Sequence, residues 1–406
     1  MAVASSRVTP IDGGVTSPRG FRAAGIHCGI KSQAPDLALV VADRPAAAAG
    51  MFTQIATRAA PVVLNEAKLR AAGRAQAVVI NSGNANACVG ARGYDDARAM
   101  TAAVAVALGI DEALVLGAST GVIGRPLPVD RIVAAVPALV AALGSDSAAA
   151  ARAIMTTDAF PKTAAARVDV GDGTITIGGM AKGAGMIHPD MATMIAVIAT
   201  DAALDPAVLR AALRGAVDRT FNCISVDGDT STSDSVFVLA SGAAGLVPIA
   251  PDGERYQAFL AGLTDVAARL ATLIVRDGEG ATRVVEVRVT GARSDADARL
   301  AARTIMTSLL VKTMFHGAEL NWGRLVAAAG RSGAAVDPDR IAVAIGEHWV
   351  VEGGVGRPER YPLAEPLLRA PEVRVTVDLG LGEGRYTGWT SDLGEAYVRI
   401  NSGYLT

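Results

Sequence analysis

Cysteine is scarce in this 406-residue chain, with three residues at Cys28, Cys88 and Cys223. Their odd number, wide separation and lack of a C-x-x-C pair exclude a disulfide scaffold and point to a reducing compartment. Aromatic residues make up only 4%, so alanine and valine carry the apolar content. Histidine is limited to His27, His188, His316 and His348, none in an H-x-x-x-H or H-E-x-x-H array, and no metal site is expected. Neither sign of charge dominates: 38 Lys+Arg face 40 Asp+Glu, a formal net charge of −2. Without a basic excess or a dense Lys/Arg run, no nucleic-acid partner is expected. The longest apolar stretch, 132–144, is short and carries Pro137, so no membrane span is expected. The first residues, MAVASSRVTPIDGG, contain no apolar core of a secretory signal.

What is present is a large apolar fraction, 51%, with 19% charged residues, enough for a sizeable core. Strand-like and helix-like stretches alternate. Short apolar runs at 37–42, 77–80 and 114–116 read as strands, the last ending in a GASTG turn. Helices are expected over 95–108, stopped by Gly109, and over 129–143 and 147–155. Residues 165–170 and 174–177 alternate around Gly171-Asp172-Gly173 as a hairpin. A glycine cluster, GGMAKGAGMIHPD, then precedes an apolar run at 191–199, and marks the one plausible internal boundary. Further helices are expected at 205–219, 256–275, 295–312 and 323–329. Further strands are expected at 224–226, 236–239, 284–289, 341–345, 373–377 and 397–400. This order predicts mixed α/β layers without a single doubly wound sheet.

Several segments propose chemistry. Gly117-Ala118-Ser119-Thr120-Gly121 fits the G-x-S-x-G nucleophile elbow and follows a strand. The elbow requires a helix directly after it, however, and VIGRPLP carries Pro126 and Pro128. The alternatives are a plain strand-end turn, or a turn lending its N–H groups to another nucleophile. No G-x-x-x-x-G-K-[ST] phosphate loop occurs, and GGMAKGAG lacks the strand–turn–helix context of a dinucleotide site. Thr193 interrupts an otherwise apolar run. A threonine opening a buried strand is the arrangement of N-terminal-nucleophile enzymes. There the hydroxyl attacks the preceding carbonyl, and the freed α-amino group, with a pKa near ~7.7–8.0, becomes its base. From composition alone a buried core threonine remains the simpler reading.

The string KGAGMIHPDMATM, 182–194, resembles the self-cleavage motif of the ornithine acetyltransferase family, the glutamate N-acetyltransferases of arginine biosynthesis. The likeness extends along the chain through FRAAGIHCGIK, DLALVVAD, the PVV at 61–63, NSGNANAC, STGVIG, MTTD-x-FPK, ISVDGDTST, RDGEGAT, NWGR and the terminal INSGY. It implies an N-terminal-nucleophile-type fold cut between Ala192 and Thr193. The products would be an α fragment, 1–192, and a β fragment, 193–406, held together as an α2β2 heterotetramer. It further implies Thr193 as nucleophile and Thr120 with Gly121 as the oxyanion hole. Substrate contacts would come from Thr157, Lys182, Thr193, Glu279, Asn401 and Thr406. The implied reaction is ping-pong transfer of acetyl from N-acetylornithine to glutamate in the cytoplasm, with no bound cofactor. Bifunctional members also accept acetyl-CoA as donor.

The chain departs from the family at three places. TTDT is Thr156-Thr157-Asp158-Ala159 here, which removes one hydroxyl beside the substrate positions. Glu319-Leu320-Asn321 stands where D-x-N is usual, and Ser231-Thr232-Ser233-Asp234 replaces STND. Three other readings stay open: a related amidohydrolase or aminopeptidase with water as acceptor, a paralogue acting on another acylated amino acid, and a non-catalytic, unprocessed amino-acid-binding paralogue.

Overall fold

Apolar segments pair into two separate sheets in the computed structural model, which describes residues 7–188 and 194–403. One unit holds residues 7–222 and 229–274; the other holds 223–228 and 275–403. The first sheet takes β1 (Val8–Ile11), β2 (Phe21–Ile26), β3 (Leu37–Phe52), β4 (Arg74–Asn84), β5 (Val115–Val122), β6 (Lys162–Asp169), β7 (Thr174–Lys182), β8 (Ile195–Thr200) and, after β9 (Ile224–Ser225) of the other unit, β10 (Ser235–Ala240). Its order is β1-β6-β7-β8-β10-β3-β4-β5, with β2 also paired to β3.

Side-chain alternation builds two cores on this sheet. Leu37, Leu39 and Val41 of β3 face one apolar cluster; Ala38, Val40 and Ala42 face the other. The first cluster is completed by helices α2 (Ala91–Leu108) and α3 (Val129–Ala141), which follow α1 (Ala60–Ala72). The second takes Ala150, Ala151 and Ala153 of α4 (Ser147–Ala153). Small residues allow this close packing: a Cβ on Gly25 would lie 2.1 Å from the Ala149 carbonyl oxygen. β8 and β10 are buried at every position, so they read as unbroken apolar runs without alternation.

The expected hairpin forms from β6 and β7, but β7 continues through Gly178 and Gly179 to Lys182. The first part of the glycine cluster, residues 178–182, is therefore strand. A Cβ on Gly178 would sit 2.0 Å from the Gly14 carbonyl oxygen, so close backbone approach is what requires glycine there. β7 and β8 pair antiparallel, so the strands on either side of residues 189–193, which lie outside the described residues, both belong to the first unit. After α5 (Pro206–Val217), α6 (Gly253–Arg276) is long and apolar enough to cross a membrane by length and composition alone, a feature missed in the sequence. Within the protein, 78% of its apolar window is buried, and its Gly262 lies against Val168 and Ile177.

The second sheet takes β9 with β11 (Val284–Ala292), β12 (Ala342–Ile345), β13 (His348–Glu352), β14 (Val355–Gly356), β15 (Glu372–Asp378) and β16 (Gly384–Ser391), ordered β14-β13-β12-β15-β11-β16-β9. The helix expected over 295–312 is two helices, α7 (Asp295–Met306) and α8 (Leu309–Gly317). Thr307 turns its hydroxyl back to the Arg303 carbonyl, and Ser308 starts the second helix in extended conformation. They are followed by α9 (Trp322–Gly330), α10 (Tyr361–Ala364) and α11 (Glu395–Gly403). The strand expected at 397–400 is part of α11. Val398 and Ile400 are exposed, so their spacing never marked a buried strand face.

Lys312 on α8 is buried, its amine donating to Thr390 Oγ1 at 3.0 Å and to the carbonyl and hydroxyl of Ser391. Burial lowers this amine to about 7 against the opposing pull of Asp392 and Asp227. The folded state is then the weaker proton binder, so Lys312 makes stability rise from about pH 7 towards pH ~10.4. Thermal denaturation of wild type and Lys312→Met between those limits is expected to show a shallower rise in the variant. Parallel slopes would contradict this.

Candidate active site

Two parallel strands form the floor of the site. β4 ends in Asn81-Ser82-Gly83-Asn84 beside Ser119-Thr120-Gly121-Val122 of β5. GASTG is therefore strand, not the expected turn. Gly83 and Gly121 stand opposite each other with φ of 100° and 129°. A Cβ on Gly121 would lie 2.4 Å from the Gly83 carbonyl carbon and 2.6 Å from the Asn84 nitrogen. Only glycine lets the backbones approach this closely and adopt that conformation.

Asparagines fix the surrounding loop. Asn81 donates to the Asn84 carbonyl at 2.9 Å, and the Asn84 side chain reaches the Arg125 and Pro126 carbonyls. Ser119 is buried and donates to Asn81 Oδ1 at 2.6 Å. Its hydroxyl meets no histidine or carboxylate among the described residues, which removes the support for a Ser119 nucleophile.

Thr120 is buried and meets Lys182, the last residue of β7, whose Nζ donates to Thr120 Oγ1 at 3.3 Å. The ammonium can only donate, so the Thr120 oxygen accepts and its own proton is left to point elsewhere. Behind Lys182 lies Asp158. One Asp158 oxygen accepts Lys162 Nζ at 2.7 Å and the Gly183 N–H at 2.7 Å; the other accepts the Thr156 N–H at 2.9 Å. Burial pushes this carboxyl up, but the Lys182 and Lys162 charges and these hydrogen bonds outweigh burial and hold it at about 2. Asp158 thus ties the Thr156-Thr157 segment to the strand end that carries Lys182. Thr157 lies half-buried beside it.

A second anion shapes the neighbouring loop. Buried Asp36 accepts the N–H groups of Cys28, Ile30 and Lys31 at 2.6–2.8 Å. Lys31 reaches the Met155 carbonyl at 2.5 Å, just before Thr156. Burial lowers the Lys31 amine, with Asp36 opposing and Lys182 adding to the fall.

In the second unit, Asn401 of α11 donates to Glu279 Oε2 at 2.7 Å, and Glu279 is buried. Gly280 has φ of 71°, and a Cβ there would lie 2.6 Å from the Tyr397 nitrogen, so this glycine of RDGEG lets α11 lie close. Asp392 anchors the segment before α11 through Thr282 and Arg283 N–H groups, the Thr282 hydroxyl and His316 Nδ1. The structure therefore brings together Thr120 with Lys182, and separately Glu279 with Asn401. Ala192, Thr193 and Thr406 lie outside the described residues. Sequence reading passed over Asp158, Lys162, Asp36 and Asp234, although each stands in a motif it quoted. Among the described residues no group of three or more His, Cys, Asp or Glu side chains is placed to hold a metal ion.

A family model described as the ArgJ family matches residues 22–406. The arginine biosynthesis bifunctional protein ArgJ of Symbiobacterium thermophilum is 51% identical over 398 residues, covering 97% of this chain and 99% of that protein. The protein of the same name from Geobacter sulfurreducens is 50% identical over 393 residues, covering 96% and 99%. A solved chain described as ornithine acetyltransferase of Mycobacterium tuberculosis complexed with ornithine is 44% identical. It covers 45% of this chain and 98% of its own, with a TM-score of 0.42.

Removing the Asp158 charge leaves Lys162 cationic and fully buried, a loss of about 3–5 kcal/mol. Asp158→Asn is therefore expected to unfold at markedly lower urea, while the double variant with Lys162→Met recovers most of that stability. Additive losses in the double-mutant cycle would contradict the pairing.

Proposed function

The chain belongs to the ArgJ family, is an acyltransferase of arginine biosynthesis, and we propose that it moves acetyl from N2-acetylornithine to glutamate through an acetyl-Thr193 ester. The observation that carries the mechanism is the buried Lys182–Thr120 hydrogen bond. Because Thr120 accepts from Lys182, its O–H is free to donate to a developing oxyanion, with the adjacent Gly121 N–H as the second donor. One such donor is worth about 2.7–4 kcal/mol in the transition state.

Self-cleavage between Ala192 and Thr193 frees the α-amino group, which takes the proton of the Thr193 hydroxyl. The hydroxyl oxygen bonds to the acetyl carbonyl carbon, the amide C–N bond breaks, and the proton leaves with ornithine. The glutamate amine then attacks the ester, giving N-acetylglutamate and regenerating the hydroxyl. Thr157 and Lys182 would hold the substrate carboxylate, with Lys182 supplying the charge. Asn401 engages one oxygen of Glu279, which leaves the other for the substrate ammonium; Thr406 would complete that end. Nucleophile and base both come from Thr193, so the reaction needs no bound cofactor. Acetyl-CoA would be a second donor by the family likeness.

The fragments, 192 and 214 residues long, would remain one body. β8 and β10 of the second fragment hydrogen-bond to β7 and β3 of the first within a single sheet. Pairing of two such units gives the α2β2 assembly implied by the family likeness, in the cytoplasm.

Denaturing mass spectrometry is expected to find two fragments in the wild type and one intact chain in Thr193→Ala, which also loses acetyl transfer. N-acetylglutamate formation should match ornithine release, rising with pH as the α-amino group deprotonates near ~7.7–8.0. Acetate release independent of glutamate would instead identify a hydrolase. An uncut wild-type chain would remove the proposed base.

A further inference from the structure

Glu279 sits at the apex of a turn, not on a helix or strand. The Ala281 N–H closes back on the Gly278 carbonyl at 2.8 Å, with Glu279 and Gly280 between them. A side chain on such a turn is oriented only as well as the two ends of the turn are held. The entry is tied to the last turn of α6, where the Gly278 N–H donates to the Val275 carbonyl at 3.1 Å. The exit is tied to buried Asp392. That carboxylate accepts the Thr282 and Arg283 N–H groups at 2.7 and 2.8 Å and the Thr282 hydroxyl at 2.6 Å.

Asp392 is aimed in turn by His316 of α8, whose Nδ1 lies 2.8 Å from Asp392 Oδ2. Burial pushes the Asp392 carboxyl up, but the hydrogen bonds from Thr282, His316 and Arg283 outweigh burial and hold it below its ordinary value. A carboxylate only accepts, so Nδ1 of His316 carries the proton and donates it.

The same imidazole lies against the start of α11. A Cβ on Gly394, the residue before α11, would sit 2.3–2.7 Å from three ring atoms of His316. The Leu393 N–H reaches the Lys312 carbonyl of α8 at 3.3 Å, and the Tyr397 N–H reaches the Gly394 carbonyl at 3.2 Å. α11 carries Asn401, which donates to Glu279 Oε2. His316 therefore touches both supports of the Glu279–Asn401 pair: the carboxylate that pins the turn and the glycine that opens the helix. Its side chain is nevertheless 40% exposed, so core packing is not what it provides.

We propose that His316 is a positioning residue for N2-acetylornithine, orienting Glu279 through Asp392 and the start of α11. This inference rests on the reading that Glu279 meets the substrate ammonium. In N2-acetylornithine that ammonium is the side-chain amine, because the α-amine carries the acetyl group. Loss of His316 frees Glu279 to adopt more orientations before substrate binds and leaves the nucleophile untouched. Affinity is then lost equally from ground state and transition state, so KM rises while kcat is retained.

The test compares the purified processed enzyme as wild type, His316→Ala, His316→Asn, Gly394→Ala, the His316→Ala/Gly394→Ala double variant and Glu279→Gln. N-acetylornithine is varied at saturating glutamate. His316→Ala is expected to raise KM for N-acetylornithine ~10-fold with kcat within about twofold of wild type. His316→Asn, which restores an N–H donor close to the place of Nδ1, is expected to recover most of the affinity. Gly394→Ala pushes the ring aside and is expected to resemble His316→Ala, with the double variant no worse than either. A weakly binding Glu279→Gln beside a His316→Ala of wild-type KM overturns the role of His316. So does a His316→Asn no better than His316→Ala, a fall in kcat at unchanged KM, or additive losses in the double variant. A Glu279→Gln of wild-type KM overturns the reading of Glu279, and this inference with it.

Discussion

Backbone pairing in the first sheet is the constraint on which the site depends. Lys182, Ile195, Ser235 and Phe52 stand side by side on four adjacent strands. With strands about 4.8 Å apart, this register delivers the chain that follows residue 193 to within one strand spacing of both Lys182 and Asp234. β8 and β10 are held on both edges, so a cut before β8 severs one covalent bond and leaves every ladder hydrogen bond of these strands in place. The same burial makes β8 a rigid base for the residue before it.

Charge is concentrated where that ladder ends. Lys162, Lys182, Asp158 and Asp234 are all buried, although burying an ion is strongly unfavourable unless it is paired. Asp158 resolves this by accepting three hydrogen bonds and facing two lysines, and it stays ionised. Burial raises the Asp234 carboxyl, with backbone hydrogen bonds from Met194 and Ser231 and the Lys182 charge opposing. Two buried carboxyls are thus shifted in opposite directions by their surroundings, Asp158 downward by its two lysines and Asp234 upward by burial. The second unit repeats the use of a buried anion in a structural setting: Asp392 gathers N–H and O–H donors that fix the entry to α11.

Much of the fold was legible because apolar spacing survives in sequence. The alternation of β6 and β7, the glycine after α2 and the unbroken run of β8 all carried their own signal. Other features depend on contacts distant in the chain. The hairpin strand was ended at residue 177, before Gly178 and Gly179, because nothing local reveals that Gly14 passes over that strand. GASTG looked like a turn because its partner is Asn81-Ser82-Gly83-Asn84, contributed by the preceding strand. The exposed alternation at 397–400 imitated a strand, and only tertiary placement makes it helix. Site residues divided in the same way. Thr120, Gly121, Lys182, Glu279 and Asn401 were proposed through motif likeness, and the structure adds that two pairs of them touch. Asp158 and Asp234 were passed over because an acid beside Thr or Ser reads as a surface turn until its burial is known.

The most direct measurement traps the acyl enzyme. The processed protein is mixed with N-acetylornithine without glutamate, quenched in acid and digested for mass spectrometry. The predicted result is a single acetyl group on the peptide that begins at Thr193, lost again when glutamate is added before the quench. Acetyl on Ser119, or no acetylated peptide while N-acetylglutamate still forms in the complete reaction, would contradict Thr193 as the nucleophile.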